Sequence, residues 1–267
     1  MSFVVEQFEG RDLVREQVVV EVRYRAGYTY LDRCGELINR LLENNEDWMP
    51  DPKQPNPQGA KLISCKNSAQ LSVGTQSVWL QLHIPKEGKT IGHDEFGFFV
   101  AQLENSFELV FDILGINDFS RLGFRQWFCI RFESSKNSQT WMESLGWHSL
   151  SQGFNKFGEC KAKGFSAIFE GGGCDYRVSF NGVERPATVD LGTELISINT
   201  RQLDKDQGKA FLSKARQDAR LQRSESFACM IDVDAFQKDP ELPPSYIGEF
   251  LKNQYKEVVE KLRKAKQ

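Results

Sequence analysis

"FSRLGFRQWFCIRFE", residues 119–133, alternates over its whole length. Its even positions Leu122, Phe124, Phe128, Ile130 and Phe132 are apolar, with Gln126 the exception. Its odd positions carry Arg121, Gly123, Arg125, Trp127, Cys129, Arg131 and Glu133. A period of two marks a β-strand with one face turned to a core. The second face, with three arginines and a tryptophan, fits an antiparallel sheet, whose outer face is normally polar.

Upstream, "REQVVVEVRYR" (15–25) is rich in β-branched residues and reads as another strand. Residues 28–45 then place Leu31, Cys34, Leu37, Ile38, Leu41 and Leu42 on one helical stripe. "WMPDPKQPNPQG" (48–59) holds four prolines and is expected to be a loop. Short strands are expected near 61–66, 69–73 and 77–84, the last alternating Val78, Leu80, Leu82 and Ile84 against Ser77, Trp79, Gln81 and His83. The clearest helical pattern is 93–115, where Phe96, Phe99, Val100, Leu103, Phe107, Val110, Phe111 and Leu114 keep the 3.6 period and Gly115 suits the C-terminal cap.

Downstream, a short helix is expected near 137–145 and a hairpin around Gly171–Gly173. A strand near 193–199, a basic helix at 205–222, the strand "SFACMIDVDAF" (226–236) and a final amphipathic helix after Pro244 complete the pattern. The fold class is therefore α+β: a largely antiparallel sheet covered on one side by long amphipathic helices, in one unit with lobes near 1–133 and 134–267.

The composition is that of an ordinary globular chain: 267 residues, 40% hydrophobic and 27% charged, with 20 phenylalanines for aromatic packing. A net charge of −3 provides no overall attraction for nucleic acid or an anionic membrane, so such contacts need a local patch. The six cysteines form no C-x-x-C and stand at no zinc spacing from a histidine, which fits buried thiols in a reducing compartment. No apolar run reaches the ~18 residues of a membrane span, and the start lacks a secretory pattern, so a cytoplasmic location is expected.

The strand at 119–133 resembles one found in a sporadically distributed family of bacterial proteins of unknown function, of about this length. That family carries a mid-chain strand of the form Arg-hydrophobic-Gly-Leu-Arg-Tyr-x-Asn. Arg121, Leu122, Gly123, Phe124 and Arg125 follow the pattern, whereas Gln126 and Phe128 stand where the family has tyrosine and asparagine. The long aromatic helix before it, and the D-x-D-hydrophobic strand and final helix after it, also resemble the family. The resemblance implies architecture and brings no established chemistry.

Arginines on alternate strand positions stand about 7 Å apart, a spacing suited to phosphate or carboxylate oxygens. Trp127 between them offers a ring for stacking. Trp79, His83 and the odd residues Glu21, Arg23 and Arg25 extend the same kind of face onto neighbouring strands. The structural alternative is a solvated face tied by cross-strand pairs, such as Arg125 or Arg131 with Glu21.

Asp232 and Asp234 in "MIDVDAF" share a strand face and can hold magnesium with a substrate phosphate. Strand-end solvation explains them as well. The string also looks like the first carboxylate motif of lesion-bypass DNA polymerases, but there it precedes a long catalytic domain, and only 33 residues follow Asp234 here. The basic run 205–223 fits either an acidic partner or a solvated helix.

Nothing in the chain is a catalytic signature: no P-loop, G-x-S-x-G, H-E-x-x-H or G-x-G-x-x-G occurs. The leading expectation is a non-catalytic binding protein that recognises an anionic small molecule, nucleic acid or acidic protein. Its ligand-binding residues would be Arg121, Arg125, Trp127, Arg131, Trp79 and His83, with no cofactor. One alternative is a magnesium-dependent phosphoryl-transfer or nuclease-like enzyme at Asp232 and Asp234. The other is a subunit of a homo-oligomer or larger bacterial, defence-related assembly.

Overall fold

The computed structural model describes residues 4–8, 10–25, 27–56, 59–64, 69–83, 93–146, 164–171, 173–184, 227–240 and 246–265. The strand expected at 193–199, the basic helix at 205–222, Cys65, Cys160 and His148 lie outside these residues. Along the chain come β1 (Val4–Phe8), β2 (Arg11–Tyr24), α1 (Thr29–Asn44), β3 (Met49–Asn56), β4 (Gly59–Ser64), β5 (Ala69–Gly74) and β6 (Ser77–His83). They are followed by α2 (His93–Leu114), β7 (Phe119–Phe132), α3 (Ser135–Ser144), β8 (Gly164–Phe169), β9 (Asp175–Glu184), β10 (Phe227–Lys238) and α4 (Tyr246–Lys264).

The fold is α+β, built on one large antiparallel sheet. Its strands run in the order β3-β4-β5-β6-β2-β7-β10-β9-β8, and β1 pairs with β2 off that path. The proline-rich stretch expected as a loop is instead the edge strand β3. It pairs with β4 at Met49↔Ile63 and Pro50↔Leu62, then again, after a register shift, at Pro55↔Ala60. Proline cannot donate to a ladder and is tolerated only where one side of the strand has no partner, as at an edge.

The chain forms two compact units, residues 1–128, 166–178 and 232–267 in one and residues 129–165 and 179–231 in the other. The core of the first draws Val18, Val20, Val22 and Tyr24 from β2, Val78, Leu80 and Leu82 from β6, Leu122 and Phe124 from β7, and the apolar stripes of α1, α2 and α4. All eight apolar positions expected to stripe α2 are buried. On α1, Tyr30 is buried and Leu31 is 41% exposed, so the stripe begins one residue earlier than expected. Helix α2 packs against both α1 and α4. At Gly248 the approach is so close that a Cβ would meet Glu104 and Val100, and glycine keeps that crossing open.

Helix α2 ends as its sequence implies. Gly115 has φ +65, the Ile116 N–H donates to the Phe111 carbonyl at 2.8 Å, and the Gly115 N–H donates to Asp112 at 3.2 Å. This is the Schellman closure, which satisfies the last carbonyls of a helix and requires a left-handed residue. In the second unit, Ser134 caps α3 by accepting from the Asn137 N–H, and the rings of Phe132 and Trp141 lie 5.5 Å apart. Among the described residues no helix is long and apolar enough to cross a membrane.

Gly115→Ala keeps every side-chain contact but forces a Cβ into left-handed backbone. It should cost about 1 kcal/mol and lower the thermal midpoint by several degrees, as scanning calorimetry would show.

Candidate functional site

The odd face of β7 carries a ladder of ion pairs across three adjacent strands. From Arg121, Nη1 donates to Glu21 Oε2 on β2 at 2.6 Å, and Nη2 donates to both carboxylate oxygens of Asp234 on β10, at 2.8 and 2.7 Å. Glu21 in turn accepts from Arg23 Nε at 3.1 Å. Arg125 donates from Nε to Asp232 Oδ1 at 2.7 Å and from Nη2 to Asp232 Oδ2. The two candidate sites read from the sequence, the arginines and the D-x-D, are thus one arrangement, and each supplies the other's counter-charges.

Local sequence explains the geometry. Arg121 and Arg125 stand on the same face of β7 with Gly123 between them. A Cβ at Gly123 would meet the Arg121 guanidinium, its Cζ at 2.8 Å, so glycine provides the bed on which that guanidinium lies. Arg121 also sits over the Phe236 ring at 4.9 Å and Arg125 over the Trp127 ring at 5.0 Å. The two arginines differ in exposure. The Arg121 side chain is 15% exposed and Asp234 is 11%, whereas Arg125 is 46% exposed. The hydrogen bond that Arg125 donates to Asp232 is the first cause holding its guanidinium above the ordinary value, so it is charged at any physiological pH.

The remaining candidates are placed differently. Trp79 stands in register with Glu21 of β2 on one side and Ser72 of β5 on the other, half-exposed on the same polar face. His83 lies opposite Gln17 at the end of β6 and contacts the Gln81 amide. Partial desolvation first, and the Lys61 charge second, hold its imidazole below the ordinary value. Arg131 is half-buried and belongs to the second unit. The pairing foreseen for Glu21 goes to Arg121, and neither Arg125 nor Arg131 takes it. Among the described residues no three histidine, cysteine, aspartate or glutamate side chains come together as a metal site.

Two polar features of the interior were not foreseen. Gln126, fully buried, donates from Nε2 to the Gln254 carbonyl of α4 at 3.0 Å. The Gln254 side chain then accepts from the Tyr176 hydroxyl at 3.0 Å and donates to Glu257 at 3.0 Å. Burial works to raise the Glu257 carboxyl, but the neighbouring Tyr176 hydroxyl dipole, hydrogen bonds from Lys261 and Gln254, and the Lys261 charge hold it below its ordinary value. The only sequence signal for this chain of bonds was one glutamine on an otherwise apolar strand face.

The second feature is Arg15, buried on β2. It stacks on the Tyr255 ring at 3.7 Å and donates to the Tyr255 carbonyl at 3.2 Å. Among the described residues no carboxylate pairs with it. The alternation of β2 changes phase between Gln17 and Val18, which turns Arg15 inward although Arg23 faces out.

A cavity of about 890 Å³ lies along α1 and α2, lined by Arg40, Glu43, Asn105, Glu108, Asp112 and Asn117, and no ladder residue borders it. No family model, curated protein or solved structure matches this chain.

Two measurements probe the site's electrostatics. Arg121→Met strands Asp234 without its cation, leaves Glu21 only Arg23, and should cost about 3 kcal/mol in urea denaturation, as breaking a buried pair does. Arg121→Met with Asp234→Leu should recover much of that loss, and a double-mutant cycle reads the coupling. For His83, a depressed folded value means that the unfolded chain binds the proton more readily. Stability therefore falls as pH drops through about 6.5. In His83→Gln the denaturation midpoint should fall less between about pH 7.5 and about pH 5.5 than in the parent.

Proposed function

We propose that this chain is a non-catalytic binding protein whose polar sheet face takes an anionic ligand with a flat ring, of the nucleotide class, at Arg125 and Trp127. The observation that carries this reading is the state of Arg125: exposed, lying over the Trp127 ring, and held at two points by Asp232. Asp232 engages Nε and Nη2 and leaves Nη1 for a phosphate or carboxylate oxygen. A guanidinium fixed in this way loses little rotamer freedom on binding. Trp127 supplies an aromatic surface beside it for a base.

In this reading Arg121 is a positioning residue. Its guanidinium is engaged by Glu21 and Asp234, and it holds β10 so that Asp232 meets Arg125. The same engagement counts against magnesium at Asp232 and Asp234, because both carboxylates already face guanidinium groups.

Titration with adenosine monophosphate, followed by tryptophan fluorescence and native mass spectrometry, tests the reading. Arg125→Ala should weaken binding about tenfold, the worth of a charge-assisted hydrogen bond. Its thermal midpoint should move little, since exposed pairs contribute about 1 kcal/mol or less. Undiminished binding in Arg125→Ala, or no binding by the parent chain at millimolar nucleotide, would overturn the proposal.

A further inference from the structure

A cleft of about 550 Å³ lies between α4 and the turn that joins β8 to β9, within the first unit. Small-molecule sites span about 300–1,000 Å³. The buried residues Tyr176, Phe250 and Gln254 line it, beside the half-buried Cys174. A Cβ at Gly171 would collide with the Cys174 carbonyl and come within 3.3 Å of the Tyr176 ring, so glycine lets the turn lie against this wall. Burial, as first cause, pushes the Cys174 thiol up to about 11 and raises the Tyr176 hydroxyl, so both stay neutral. The rest of the lining sets Lys256 and Lys261 against Glu257 and Glu260, and the charges balance. Gln237 also lines the cleft, and only one end of its amide is satisfied. Its Nε2 donates to the Gly173 carbonyl at 2.8 Å, which fixes the orientation of the amide. Its Oε1 is buried and accepts no hydrogen bond. Buried acceptors are almost always paired, so this oxygen calls for a donor that the described chain does not supply.

We propose that this cleft binds a neutral polyhydroxylated ligand of the sugar class, with one hydroxyl donating to Gln237 Oε1. An anion would face that oxygen and the carboxylates of Glu257 and Glu260. An ammonium would face Lys256 and Lys261, and Glu257 is already engaged by Gln254 and Lys261. A hydroxyl suits both kinds of neighbour, because it donates one hydrogen bond and accepts others. The rings of Tyr246 and Phe250, also in the lining and 6.4 Å apart at a tilt, give apolar surface for the C–H face of a sugar ring.

Saturation-transfer NMR on the full chain tests this, with D-glucose, D-galactose and myo-inositol as probes at about 10 mM, above a millimolar Kd. At least one probe should receive transfer from the parent protein. Gln237→Leu removes the acceptor and should weaken binding about tenfold. Asn253→Trp, at an exposed position of α4 in the lining, should block the cleft with an unchanged circular dichroism spectrum. No transfer to any of the three probes would overturn the proposal, and so would transfer that both substitutions leave undiminished. Arg125→Ala should leave the transfer unchanged, because no ladder residue is among those lining the cleft. Failure here and failure of nucleotide binding are therefore read apart.

Discussion

The bridge that Arg121 makes to Glu21 and Asp234 fixes the relation of β2, β7 and β10, three consecutive strands of the sheet order. A strand slipped by one residue exchanges its two faces. In β7 that would drive Arg121 and Arg125 into a phenylalanine core and expose Phe124. The hydrophobic face alone resists such a slip, and the ion pairs add a second penalty with a defined partner. Buried pairs contribute little net stability, because desolvation offsets most of the attraction. What they add here is discrimination among registers, since only one arrangement gives Arg121 both carboxylates.

The core face of β7 makes the complementary choice. It admits one polar side chain, Gln126, and binds it to the backbone of α4 through Gln254. An unmatched amide among phenylalanines would cost about 1–3 kcal/mol, so the amide donor specifies where α4 must lie. Arg15 follows another logic. Burial pulls its guanidinium below the ordinary value, and stacking on Tyr255 with one carbonyl acceptor offsets part of that cost. Tyr255 is itself stacked on Phe96 with ring centroids 3.8 Å apart, so α2, α4 and β2 meet at one aromatic column.

Much of this architecture could be read from residues alone, because periodicity reports directly on which face is buried. The strand at 119–133, the helix at 93–114 and its Gly115 closure are local patterns and were legible. The edge strand β3 was not: its prolines signal a break, and only its place at the end of the sheet order makes them acceptable. The phase change of β2 was hidden as well, since "VVVEV" has no pure alternation and Arg15 carries no sign of pointing inward. For the site, residue identities were legible and their relations were not. Arg121, Arg125, Asp232 and Asp234 were singled out as two rival sites, because their pairing across more than 100 residues of chain has no trace in local sequence.

That pairing changes what the arginines mean. Arg23, Arg121 and Arg125 face Glu21, Asp232 and Asp234, three cations against three anions within one ladder. A face balanced in this way projects no long-range field to gather a charged ligand. On the proposed reading, selectivity then rests on a guanidinium that combines accessibility, unused donors and an aromatic neighbour. Arg121 is enclosed and engaged by two carboxylates, whereas Arg125 is half-exposed and bound on one edge only. The arginine count of the strand overstates the donors left for an anion, and on the proposed reading recognition narrows to the exposed guanidinium that lies over Trp127.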